Sequence, residues 1–122
     1  MIKSYRDLEV YKRSFTLAME IFKVTREFPK EEIYPLTSQV IRSSRSISAN
    51  ISEGWAKRKY ESVFKQHLIH ALGSRSETEN WILFALTCKY IDQEVYNTLT
   101  TEIDEIGKML NKLHQNWRSH GR

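Results

Sequence analysis

The chain is poor in the residues that cross-link or punctuate a fold: of 122 residues, one is cysteine, two are proline and four are glycine. Lone Cys88 excludes an internal disulfide and suits a reducing cytosol. Pro29 and Pro35 bracket one short turn, so no proline-rich linker divides the chain, and residues 1–122 read as one domain. Four scattered glycines cannot build a phosphate-cradling loop. Long apolar runs are missing too. The longest, Trp81 to Leu86, falls far short of the roughly 20 residues a membrane-crossing helix needs. The start, Met1 to Asp7, lacks the apolar centre of a signal peptide. These absences predict a cytoplasmic protein with no membrane partner.

Catalytic and metal-binding signatures are equally scarce. Bundle di-metal centres use Glu-x-x-His pairs, but the residues three before His67, His70, His114 and His120 are Phe64, His67, Asn111 and Trp117. His67 and His70 share a helical face, yet no nearby carboxylate completes a ligand set, and they read as surface histidines. Cys88 lies on a Trp81, Phe84, Cys88, Ile91 stripe and reads as a packed core thiol rather than a nucleophile. No metal, no cofactor and no enzymatic activity are expected.

What is present is helical periodicity. The first helix is predicted over about 7–28, with one apolar stripe of Leu8, Tyr11, Phe15, Ala18 and Phe22 and a second of Val10, Leu17, Ile21, Val24 and Phe28. Two stripes make a wider arc than one core requires, so either this helix is central to the bundle or part of it faces another subunit. Pro35 suits the first position of a second helix over 36–53. That helix is rich in serine, and Gly54 reads as the residue that ends it. A long third helix spans 60–90, with Gly73 expected to pack closely against a partner helix. Asp92 caps a fourth over 93–117, where Val95, Leu99, Ile103, Ile106, Leu110, Leu113 and Trp117 form a faultless stripe. The tail after Trp117 reads as frayed. No segment alternates like a strand. Four helices with short loops give an all-α, up-down-up-down antiparallel four-helix bundle.

Charge is unevenly spread. Residues 1–65 hold 13 Lys/Arg against 8 Asp/Glu, while residues 66–122 hold 6 against 7. The excess gathers at Arg42, Arg45, Lys57, Arg58, Lys59 and Lys65, a candidate set for phosphate contacts with RNA or DNA. Trp55 and Tyr60 stand beside it for stacking. The same residues also fit an ordinary solvated face. Asn50 and Glu53 on the second helix, with Arg75, Glu77 and Glu79 on the third, form a candidate polar network. It reads either as a ligand site or as a structural set that fixes helix register.

Several stretches together resemble one family. They are Tyr5 to Tyr11, Phe28 to Glu32, Tyr34 to Gln39, Ser46 to Gly54 with its Asn50-Ile51-Ser52-Glu53-Gly54 centre, and Ala71 to Glu77. In this order they resemble the four-helix-bundle proteins encoded in intervening sequences of bacterial 23S rRNA genes, also called S23-type ribosomal proteins. The resemblance implies a ring-shaped homopentamer with a basic surface and no established catalytic activity. A related branch resembles the accessory variability protein of diversity-generating retroelements, which partners a reverse transcriptase and is thought to bind nucleic acid. Two functions follow as expectations: an oligomeric, non-enzymatic nucleic-acid binder, or a protein-interaction scaffold such as an accessory subunit of a nucleic-acid enzyme.

Overall fold

The structure, a computed structural model, describes residues 1–120. Four α-helices dominate it: α1 (Glu9–Thr25), α2 (Ser38–Ala56), α3 (Glu61–Thr87) and α4 (Gln93–Asn116). There is no strand among the described residues. Each helix packs against its neighbours in the cyclic order α1, α2, α3, α4, as an antiparallel bundle requires. The α2–α3 turn and the C-terminus of α4 therefore share one end. The α1–α2 and α3–α4 connections share the other.

Helix limits differ from the periodicity by a few residues, for local reasons. At the start, the Asp7 carboxylate accepts the backbone N–H groups of Lys3 and Ser4 at 2.8 and 3.2 Å, which holds its pKa below the ordinary carboxylate value. This closes Tyr5–Asp7 into a separate 3-10 turn, and extended Leu8 delays α1 to Glu9. Before α2, the chain forms a 3-10 turn, Lys30–Glu32, and then one wide π turn, Ile33–Thr37. Pro35 sits inside the π turn, where its missing N–H leaves no bond unmade. The turn closes through Ser38 N–H donating to the Ile33 carbonyl, and regular α geometry begins only there.

All four helices contribute to the core, although Phe15 of the first predicted α1 stripe is exposed. Leu17, Ile21, Ile47, Ile51, Phe64 and Ile103 are almost completely buried. Each such side chain contributes about 1.5–3 kcal/mol by leaving water. On α4 the predicted stripe holds: Leu99, Ile103, Ile106 and Leu110 are buried, with Val95, Leu113 and Trp117 packed against them.

Three small-scale expectations need correction. Gly54 does not end α2, which continues to Ala56; no glycine among the described residues has positive φ. Instead Gly54 lets α3 approach, because a Cβ there would lie 2.8 Å from His67 Cβ. Gly73 is the reverse case: a Cβ added there would meet nothing within 4 Å. Cys88 is exposed rather than packed, since α3 ends one residue before it. The turn that follows uses Lys89 at φ 66°, with Tyr90 N–H donating to the Ala85 carbonyl and Lys89 N–H to that of Leu86. This six-to-one and five-to-two pairing is the Schellman motif, here built without glycine. Tyr90 then packs on Phe28 and donates its hydroxyl to Glu32 at 2.6 Å, tying the two connections at that end. The hydrogen bond to Glu32 pushes the Tyr90 pKa up to about 12.

Candidate nucleic-acid interface

The serine-rich stretch of α2 explains how the basic turn is held. Serine has weak helix propensity, yet it lets two helices run close together. Thr78 on α3 donates to Ser43 Oγ at 2.8 Å, and Ser74 donates to Ser46 Oγ at 2.9 Å. Asn50 donates to the Ser46 carbonyl at 3.0 Å, and its own carbonyl oxygen lies 3.2 Å from His67 Nδ1. These contacts and Gly54 fix the register of α2 against α3. The turn from Lys57 to Tyr60 is thereby fixed as well.

The predicted polar network divides into separate parts. Asn50 belongs to the α2–α3 seam just described. Glu53 is exposed on α2. Arg75 turns the other way and donates Nε to the Ile103 carbonyl of α4 at 3.0 Å. Gly107 makes room for it, since a Cβ there would collide with the guanidinium. Arg75 also lies 3.5 Å from Asp104 and 4.0 Å from Glu79. Glu77 instead accepts from Trp81 Nε1 at 3.1 Å, on its own helix. Antiparallel packing puts α3 between two partners, so residues on different faces of it reach different helices.

The six candidate cations also fall into groups. Arg42 and Arg45 are exposed on α2, beside a shallow groove of about 410 Å³ that Ser46, Ser74 and Glu77 help to line. The Arg45 guanidinium rests 5.4 Å from the Phe22 ring centre. At about 1.5 Å of rise per residue, Arg45 and Lys57 stand roughly 18 Å apart along the axis. Lys57, Arg58 and Lys59 occupy the α2–α3 turn, all exposed. Lys57 Nζ lies 3.3 Å from His67 Nε2. The Arg58 guanidinium lies 4.3 Å over the Trp55 ring and donates to the Trp55 carbonyl at 2.9 Å. Lys65 leaves this group, because it pairs with Glu61 at 3.3 Å.

Sequence reasoning missed the other half of this end. The chain after α4 is tied down at Ser119 rather than frayed there. Ser119 Oγ donates to the Arg58 carbonyl at 2.6 Å, and Ser119 N–H donates to Glu61 at 2.9 Å. The second bond, aided by Lys65, lowers the Glu61 pKa from its ordinary value. Trp117 anchors the strap against Phe64 and Trp55, with ring centres 4.7 and 5.6 Å away. Arg118 and His120 are thus brought to Arg58 and Lys59 around an open groove of about 760 Å³, walled by Trp117. The signal in the sequence was topological: α2 and α4 run the same way, so their C-termini share an end, and Trp117 continues the α4 stripe.

Among the described residues, no group of three or more His, Cys, Asp or Glu side chains could hold a metal ion. Nor is any described helix long and apolar enough to cross a membrane.

Fold and site define an all-α, antiparallel four-helix-bundle protein with a cationic groove at one end. The chain belongs to the family of 23S rRNA-intervening sequence proteins, which it matches over residues 6–112. It is similar to a protein of unknown function from the S23 ribosomal protein family of Bacteroides thetaiotaomicron VPI-5482, whose crystal structure was solved at 1.70 Å. The two are 28% identical with a TM-score of 0.79, over 88% of this chain and 96% of that one. No curated protein matches the chain.

Proposed function

We propose that this protein binds the phosphate backbone of RNA or DNA in the cytoplasm, without base readout and without catalysis, as a homo-oligomer. One observation carries the reading. Lys59 and Arg118 are far apart in the chain, yet both line one groove with Arg58 and His120. Like charges repel, and Glu61 beside Arg118 offsets only part of this, so a bound polyanion would relieve the remainder. An oligomer would repeat this basic end and turn a monomer charge of only +4 into a continuous band. The exposed apolar side chains Phe15, Met19, Leu83 and Phe84 supply surface for subunit contacts.

The test is binding of a labelled polyanionic oligonucleotide across a salt series, with the particle mass read by light scattering in the same buffer. Binding should weaken steeply with salt. Reversing Lys59 and Arg118 together should flatten the slope by about one unit for each phosphate no longer neutralised. Unchanged affinity in a variant that still folds removes the assignment.

The same exposed apolar residues favour a second reading, a scaffold or accessory subunit for a nucleic-acid enzyme such as a reverse transcriptase. Binding to that partner would be mildly salt-sensitive and would survive the Lys59 and Arg118 reversals.

A further inference from the structure

Resting on the backbone-binding reading, we infer that the basic end takes a single strand rather than a duplex, its phosphates drawn to the groove that Lys59 lines and an unpaired base stacked on Tyr60 just outside it. Three aromatic rings stand at this end, and packing separates their roles. Trp55 lies against Phe64 and Trp117 and is covered by Arg58. Trp117 lies against Trp55 and Phe64. Both rings are half-buried and already engaged by other side chains. Tyr60 is different: it is 61% exposed, and its ring pairs with no other aromatic among the described residues.

Its backbone is nonetheless fixed. Tyr60 N–H donates to the Lys57 carbonyl at 2.9 Å, and its own carbonyl accepts Phe64 N–H at 3.0 Å, starting α3. The Lys59 ammonium stands 6.0 Å from the ring centre, so a phosphate drawn to Lys59 leaves its base beside Tyr60. A base inside a duplex is already stacked and cannot reach a ring; an unpaired base can. The shape agrees. Duplexes are entered by protruding elements that fit a major groove about 12 Å wide. Here the cations rim a recess, which suits a flexible chain threaded into it.

The experiment compares labelled oligo-deoxythymidine with a blunt duplex of equal length, using the parent, Tyr60→Ala and Tyr60→Phe proteins. Tyr60 is outside the core, and circular dichroism verifies that both variants fold. The single strand should bind more tightly than the duplex. Tyr60→Ala should weaken single-strand binding about tenfold while leaving duplex binding unchanged, and Tyr60→Phe should restore it. Equal affinity for both probes, or equal weakening of both by Tyr60→Ala, overturns the inference and leaves backbone binding standing. Failure of the parent protein to bind either probe at low salt overturns both.

Discussion

Across the α2–α3 seam, serine and asparagine side chains and the bare Gly54 of α2 closely meet serine, threonine and His67 of α3, while the α1–α4 seam is bridged at its rim by long charged side chains. The first seam is closed so tightly that Gly54 has no room for a methyl group. The second leaves a surface groove of about 360 Å³, where Arg13 donates to both carboxylate oxygens of Glu102 at 2.7 and 3.0 Å. Close approach through small residues fixes register by shape, because any shift creates overlap. A charged bridge across a wider gap tolerates sliding and depends on the solvent. The basic turn is attached to the first kind of seam.

Breaking the tight seam should have the largest effect. Gly54→Val places new atoms against His67 Cβ, which is fixed to the α3 backbone and cannot swing aside. We expect a loss of about 3 kcal/mol, read as a lower urea midpoint with an unchanged slope. A loss below about 0.5 kcal/mol would mean that the helices separate freely and that shape does not set the register.

The same residue type outside the seam should respond in the opposite sense. Gly73→Ala adds a methyl into open space and removes a helix-weakening glycine, so stability should rise by about 1 kcal/mol. A fall would reveal a close neighbour at Gly73 in the assembled protein, which light scattering of the variant would expose as a change in mass. The smallest effect belongs to the charged rim. Arg13 and Glu102 keep side-chain exposures of 36% and 30%, so Arg13→Ala should cost little at low salt. In molar salt, where screening acts over about 3 Å, the difference from the parent should shrink further. A salt-independent loss would show that the Arg13 stem packs rather than pairs.

How much of this could be read beforehand depended on whether a residue acted through its neighbours in the chain or across space. The α4 stripe was legible because one helix against one core imposes one period. The four helices and their order were legible for the same reason, and several quoted stretches carried the family. Gly54 and Gly73 were misread in complementary ways: periodicity marks which side of a helix a glycine occupies but not how near the next helix comes. Arg75 was placed with α2 because a one-dimensional pattern cannot say which of two flanking helices a side chain will choose; the space at Gly107 decides it. Lys57, Arg58 and Lys59 were visible as a run. Their companions Arg118 and His120 were hidden, because only the Ser119 tie and the Trp117 anchor bring the tail back to the turn.

The division of the bundle into two ends also has an electrical consequence. Lys57, Arg58, Lys59 and Arg118 crowd one end, while the connections at the other carry Glu27, Glu31, Glu32 and Asp92 against Arg26, Lys30 and Lys89. The molecule is therefore an axial dipole. In the field of a strong negative charge it experiences a torque before any surface touches, and tumbling is biased toward basic-end-first encounters. At physiological ionic strength that field fades over about 8 Å, so the orientation is set only in the last step of approach.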